Sequence, residues 1–264
     1  MFMFGFCPLA SGSKGNCLYL GSATTRVLID AGISLREICK RLEEIQVDLQ
    51  TIQAVFVTHE HSDHIKGLPL LSQKLNIPII ANKETATGIS HAIQAQLRFK
   101  IFTTGETFQF GDLAVHPFSI PHDTLDPVGF IIQMDHLKLG ICTDIGHVTS
   151  LVAKHLENCD YLYLEANHEP SMVHASRRPE YLKKRILGKQ GHLSNEDCAK
   201  LIAKIMHPHL KHVYLAHLSE ECNSQEVALK IVKESLPYSI SVTVAHQDQV
   251  SQPVAFSSKT RSFI

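Results

Sequence analysis

An α/β fold is what this sequence predicts, and three observations carry the prediction. Short apolar runs rich in β-branched and aromatic residues recur along the chain, segments with apolar residues at helical spacing lie between several of them, and Asp or His stands directly at the end of many runs. With 264 residues, 44% of them hydrophobic and 19% charged, the chain can bury the core of one large domain. No linker-like stretch divides it. One domain is expected over residues 1–246, followed by a polar, unpatterned tail over 247–264 that is expected to be flexible.

In chain order, "MFMFGFCPLA" is short, lacks a basic flank and alternates Phe2, Phe4 and Phe6, so it reads as a first strand and not a signal peptide. "RVLIDAG" is a buried strand ending in Asp30. "SLREICKRLEEI" follows as a helix, with Ser34 and Glu37 as a capping box and Leu35, Ile38, Cys39, Leu42 and Ile45 on one face. "TIQAVFVTH" is a second buried strand; a helical stretch then starts near Asp63, runs through "KGLPLLSQKLN" and is closed by Pro78 before the strand "IPIIAN". Short strands fill the middle: "KIFTT", "ETFQF", "LAVHPFSIPH", "VGFIIQM" and "LKLGICTD", separated by turns bearing Gly, Asp or Pro. Helices and strands then alternate through "VTSLVAKHLEN", "YLYLEAN", "SNEDCAKLIAKIM", "HVYLAHLS", "SQEVALKIVKESL" and "ISVTVAH". A faint internal echo runs through this order. "LIDAG" and "CTDIG" each end a strand in Asp with Gly two residues on, and "FVTH" and "YLAH" each end one in His, which fits two similar halves with a site between them.

A net charge of −1 gives no global field for nucleic acid or membrane, so any such preference has to be local. No run reaches membrane-spanning length. The seven cysteines are odd in number and scattered with no CxxC pair, which reads as reduced thiols in a cytoplasmic protein.

The 17 histidines are the informative count, because several follow apolar strands. "HEHSDH" packs His59, His61, Asp63 and His64 into one turn, an arrangement whose mutual repulsion needs a cation to offset it. In an extended segment His59 and His61 point to one side, while Asp63 and His64 at a helix start can face a second ion. Further donors stand at strand ends: His122 after "FSIP", Asp144 after "LGICT" and His217 after "YLA". One allocation gives a first ion His59, His61 and His122, gives a second Asp63, His64 and His217, and lets Asp144 bridge both with a shared hydroxide. Five imidazoles and two carboxylates suit Zn or Mn, with Fe acceptable, so two divalent metal ions per chain are expected and their identity stays open.

The order Asp30, "HEHSDH", His122, Asp144, His217 resembles the metallo-β-lactamase superfamily over nearly the whole chain. That resemblance implies an αββα sandwich, two mixed β-sheets flanked by helices, with a dinuclear site at one edge. It also implies that Asp30 orients a ligand from behind; taken alone, Asp30 reads equally well as a helix cap. Within the superfamily, "LASGSKGNCLYL", "DAGIS", "PHDTLDPVGF", "EANHEP" and "ILGKQGHLSNED" resemble the YycJ (WalJ) group. This second resemblance implies a metal-dependent phosphodiesterase acting as a DNA exonuclease, through attack of metal-activated hydroxide on phosphorus.

Local residues point the same way. Between His174 and His192 lie Arg177, Arg178, Lys183, Lys184, Arg185 and Lys189 against the single acid Glu180, which reads either as a solvated basic face or as a seat for a phosphate backbone. Ser194 is an expected N-cap with Asp197 at the box position, so His192 stands just ahead of a helix where it could protonate a leaving oxygen, with Glu165 holding its imidazole. The Glu165 and His192 pairing resembles the proton-donor arrangement of the superfamily's tRNA-maturing nucleases. The catalytic set is thus Asp30, Asp63, Glu165 and His192, with Asn167 and His168 as further pocket candidates beside the basic residues. "SGSKGN" lacks the ending of a P-loop and reads as a turn between strands that either approaches substrate or does not. Two rivals share the metal motifs: a thioesterase of the glyoxalase II type and a mononuclear-iron persulfide dioxygenase. A nuclease with a β-CASP insertion is disfavoured by the short interval between Asp144 and His217. The expected partner is nucleic acid, DNA before RNA, with no membrane.

Overall fold

The structure, a computed structural model, describes residues 3–236 and 240–256. Fourteen strands form two seven-stranded sheets among the described residues, and the two sheets pack face to face with helices outside. This is the αββα sandwich expected. The first sheet runs β14–β1–β2–β3–β4–β5–β6, with β1 Gly5–Ala10, β2 Cys17–Gly21, β3 Arg26–Ile29, β4 Ala54–Phe56, β5 Ile79–Ala81, β6 Phe99–Ile101 and β14 Val254–Ala255. The second runs β13–β12–β11–β10–β9–β8–β7, with β7 Phe108–Phe110, β8 Leu113–Ser119, β9 Val128–Met134, β10 Leu137–Cys142, β11 Tyr161–Glu165, β12 His212–Ala216 and β13 Ser241–Val244. Strands β3 to β6 are mutually parallel, as are β10 to β13, so each half delivers its strand ends to one edge.

Between the sheets Phe6, Phe56, Phe130, Tyr161 and Tyr214 are buried and meet in edge or tilted contacts. The outer face of the first sheet is covered by α1 Leu35–Glu44, α3 Leu68–Leu75 and α4 Lys83–Ala92. That of the second is covered by α5 Ser150–Leu156, α8 Asn195–Ile205 and α9 Gln225–Glu234. The expected helix starts are made as the caps require: Ser34 Oγ accepts from the Glu37 amide, and Ser194 Oγ accepts from the Asp197 amide while donating to its carboxylate. Two short helices, α6 Pro170–Ala175 and α7 Glu180–Ile186, project between β11 and α8 and sit on Val173, Ile186 and Cys222. No helix among the described residues is long and apolar enough to cross a membrane.

The structure departs from the sequence reading in places that have physical causes. The helical stretch expected from Asp63 onward is two helices, α2 Ser62–Ile65 within and just past "HEHSDH" and then α3, separated at Lys66–Gly67, with Pro69 in the first turn of α3. The segment expected to be a flexible tail is not loose over 247–256. Val254 pairs with Phe6, Phe256 is buried against Phe6 and Tyr161, and the Gln252 carbonyl accepts from the Tyr214 hydroxyl. Its apolar anchors are two residues in a polar stretch, too few to make a pattern. Phe2 and residues 257–264, on which the remaining expectations fall, lie outside the described residues.

Candidate metal centre

Three strand ends carry the site, and each ends in the same unusual way. Asp30 after β3, Asp144 after β10 and His217 after β12 all have positive φ, at 60°, 56° and 54°. Non-glycine residues in this left-handed region are strained, and Asp tolerates it best, so the chain turns its backbone sharply while aiming a polar side chain at the edge. The glycines of the echo have a matching reason. A Cβ on Gly32 would lie 1.6 Å from the Asp63 carbonyl, and one on Gly146 would lie 2.3 Å from the Lys189 carbonyl, so both let a site loop lie against the strand end.

All seven expected donors are brought together. His59, His61 and His122 form one group and Asp63, His64 and His217 another, with the donor atoms of each within 4.8 Å of one another. Asp144 lies between them, 3.3 Å from His64 Nε2, 3.3 Å from His217 Nδ1 and 3.9 Å from His122 Nε2.

The hydrogen bonds behind the imidazoles fix which nitrogen faces inward. His64 Nδ1 lies 2.8 Å from Asp30 Oδ2, His122 Nδ1 3.1 Å from the Gly191 carbonyl and His217 Nδ1 2.9 Å from Glu165 Oε1. Carbonyls and carboxylates only accept, so each Nδ1 carries the hydrogen and Nε2 points to the centre. For His59 the relay is longer. Thr58 Oγ1 donates to Asp30 at 2.9 Å, leaving it to accept from His59 Nδ1 at 3.0 Å. His61 departs from this pattern: its Nδ1 faces His122 Nε2 at 3.3 Å and its ring is half-open to solvent.

These residues fit a divalent cation. His59 Nε2, His217 Nε2 and Asp144 Oδ2 are buried without a hydrogen bond, a costly arrangement for polar atoms and one that a bound cation would relieve. The electrostatics divide the two groups. Burial, reinforced by neighbouring imidazoles, holds His59 well below the ordinary histidine range and lowers His61 and His122, so these three are neutral bases ready to bind. Burial would lower His64 and His217 too, but carboxylates override it. Asp30, Asp144 and Asp63 raise His64 well above its usual value, and Asp144, Asp63 and Glu165 raise His217 to about 10. Asp144 is correspondingly held well below the carboxylate range by His217 and His64, against the opposing effect of burial. The second group therefore demands positive charge, which a divalent ion would supply in place of protons.

At the rim, His192 Nδ1 lies 2.8 Å from Glu165 Oε1, and its side chain is 14% exposed where Glu165 is wholly buried. Glu165 Oε2 accepts the amides of Ile145 and Leu193, and its carboxyl is held down at about 2 by His192 and His217 despite burial. Asp30 stands behind His64 and Thr58 and touches the centre only through them. Asn167 is a brace and not a pocket residue: it is buried, and its amide donates to the His217 carbonyl at 2.7 Å. His168 is likewise buried, paired through its backbone to Ser194, and lowered to about 4 by that burial.

The basic segment forms α7 and the turns around it, and its six cations divide equally. Arg178 pairs with Glu221, Lys183 with Glu180, and Arg185 makes a two-pronged pair with Asp123 at 2.5 and 3.0 Å. Arg177, Lys184 and Lys189 are exposed and make no ion pair among the described residues. The Asp123 pair ties α7 to the centre, since Asp123 Oδ1 is 3.5 Å from His122 Nε2. Asp123, Lys184, Arg185, Lys189 and Gly191 border an open groove of about 370 Å³ there.

Sequence reasoning missed Thr58, Asp123 and Asn16. Asn16, from the "SGSKGN" turn, places Nδ2 3.2 Å from Asp63 Oδ2 and 3.0 Å from His64 Nε2, so that turn does reach the centre. Its position in a Gly- and Ser-bearing turn between two strands was the available signal. Ser11 of the same turn accepts from the His217 amide and the Tyr163 hydroxyl, both at 2.8 Å.

Comparison with known proteins agrees with this geometry. The family pattern described as the beta-lactamase superfamily domain matches residues 25–218. A Bacillus anthracis protein named exodeoxyribonuclease YycJ is 36% identical over 234 residues, covering 88% of each chain. A Streptococcus pneumoniae serotype 2 protein named exodeoxyribonuclease WalJ is 35% identical over 230 residues, covering 85% of each. The solved metallo-β-lactamase fold protein YhfI of Bacillus subtilis shares the fold with a TM-score of 0.71 at 14% identity, over 93% of this chain and 97% of its own.

Proposed function

Because this chain belongs to the metallo-β-lactamase superfamily, and within it to the hydrolases of the YycJ (WalJ) type, we propose that it is a dinuclear metal-dependent phosphodiesterase that removes nucleotides from DNA ends. The observation that carries the reading is the convergence of two donor triads on Asp144, with a histidine–carboxylate pair at their rim and a basic groove beside them. His59, His61 and His122 would hold one ion, Asp63, His64 and His217 the other, and Asp144 would bridge, with Zn or Mn the best match to these donors. Such ions supply an activated water near neutral pH and offset charge on phosphoryl oxygens.

The protein's own groups account for the rest. Glu165 Oε1 accepts a hydrogen bond from His192 Nδ1 and so leaves Nε2, at the rim, as the atom from which the imidazolium form delivers its second proton to the departing oxygen, returning to the neutral ring. Asp30 and Thr58 fix the rings of His64 and His59, and the Gly191 carbonyl fixes His122, so the donors are set before any ion arrives. Lys184 on α7 and Lys189 in the turn after it attract the phosphate backbone toward the centre, while Arg185 holds α7 in place through Asp123. A thioesterase would have no use for this basic groove or for His192.

The test is cleavage of end-labelled duplex DNA by protein reloaded with Mn²⁺ or Zn²⁺, beside Asp144→Ala. Metal-dependent release of nucleotides that is absent from the variant supports the proposal. Intact DNA with metals bound overturns it.

A further inference from the structure

Among the described residues, Tyr181 is the most exposed large apolar side chain, at 69%, and it stands on the basic helix beside the metal centre. Its position is not incidental to that helix. Residues three and four apart share a helical face, so Tyr181, Lys184 and Arg185 line up along α7 and lead into the groove at Gly188–Gly191. Arg185 is pinned to Asp123 next to His122, and Tyr181 lies one turn farther out, about 6 Å along the axis. The helix is a firm support: Ile186 is buried against Val173 and Cys222, and the Ile186 carbonyl accepts the His192 amide. An exposed aromatic ring one turn from the unpaired Lys184, on a helix tied through Arg185 and Asp123 to the centre, has the composition of a surface that binds single strands.

Building on the nuclease reading, we propose that Tyr181 is a stacking platform for an unpaired base of the DNA strand that α7 guides into the centre. The cations of α7 and its following turn hold the backbone, and the ring takes the face of a base near the cleaved linkage. A base inside a duplex has both faces covered, so the strand that reaches this ring is single, either as supplied or after fraying. The substrate class is therefore a DNA end whose terminal nucleotides are unpaired when they reach the ring, whether supplied so or frayed from a duplex.

The experiment measures binding of the metal-loaded full chain to a cleavage-resistant, phosphorothioate-linked oligothymidine and to the same strand carrying abasic terminal positions. The chain has no Trp, so Tyr181→Trp also provides a single fluorescent reporter at the site. The expected results are that Tyr181→Ala weakens binding of the base-bearing strand roughly tenfold or more, that it leaves the weaker abasic binding unchanged, and that Tyr181→Trp retains affinity and is quenched by the strand. Thermal melting of Tyr181→Ala is expected to match the parent because the ring is exposed. Equal affinity of parent and Tyr181→Ala, or equal losses on both strands, would overturn the platform while leaving the nuclease reading intact. Failure of the parent to bind either strand would likewise overturn the platform, whereas the nuclease reading falls only if metal-loaded protein leaves duplex DNA intact.

Discussion

Glu165 and His192 are joined by a 2.8 Å hydrogen bond, and the same carboxylate oxygen lies 2.9 Å from His217 Nδ1. One buried oxygen thus orients both His192, the proposed proton donor, and His217, a proposed metal ligand. Glu165→Gln should impair two properties at once: turnover by about 10²–10⁴-fold, through the misplaced donor, and affinity for the ion at His217 by about 10–100-fold. Steady-state kinetics at saturating metal, with metal titration alongside, separates the two. Loss of turnover with unchanged metal affinity would show that His217 does not depend on Glu165.

His192 stands at the rim outside both triads; it shares a further group of possible donors with Asp144, Glu165 and His217, but there its Nδ1 is engaged by Glu165. His192→Ala should therefore keep its metal and lose about 10²–10⁴-fold in turnover on DNA. A p-nitrophenyl phosphodiester, whose leaving group needs no proton, should be hydrolysed with a much smaller loss. Equal losses on both substrates would remove His192 from the role of proton donor.

Metal uptake should release protons. Burial pulls His217 down, but Asp144, Asp63 and Glu165 raise it to about 10, and His64 is raised by Asp30, Asp144 and Asp63. A raised group keeps its proton at every pH below its own value, so at neutral pH an ion binding through these imidazoles must displace protons, and affinity should climb as pH rises. Calorimetry in two buffers of different ionisation enthalpy reads the number released. No dependence on buffer would contradict the assignment of His64 and His217 to the metal.

Thr58 is the relay between Asp30 and His59, accepting from His59 Nδ1 at 3.0 Å and donating to Asp30 at 2.9 Å. Thr58→Val keeps the shape and removes the oxygen, leaving a buried carboxylate oxygen with one partner fewer and His59 with none at Nδ1. A loss of about 1–3 kcal/mol in stability is expected, together with weaker metal binding. Denaturant unfolding with and without metal checks it; an unchanged midpoint in both would mean that the relay contributes nothing.

Much of this site is legible in the sequence because its residues stand where local pattern is strongest. His59, Asp144 and His217 follow buried parallel strands whose apolar runs end abruptly, and the repeated Asp-x-Gly marks two left-handed strand ends pressed against a site loop. What escaped is what depends on distant partners. Helix α4 has a weak apolar face, α7 reads only as a charge run until Arg185 meets Asp123, and β14 is two residues held by Phe6 and Phe256. Thr58 and Asn16 are ordinary polar residues in sequence: Thr58 stands next to His59 but acquires its role only by meeting Asp30 at the end of β3, and Asn16 reaches His64 only when the β1–β2 turn packs beside α2. Asn167 was misread for the complementary reason: a polar residue after a strand end can brace the backbone behind a site as readily as face it.

The most direct test of the central claim is phosphodiesterase activity followed as stripped protein is titrated with Mn²⁺ or Zn²⁺, with bound metal counted in the same samples. The account predicts that activity rises with the second ion, levels at two per chain, and is absent from Asp144→Ala at every loading. Full activity at one ion per chain, or two bound ions with no cleavage of DNA, would contradict it.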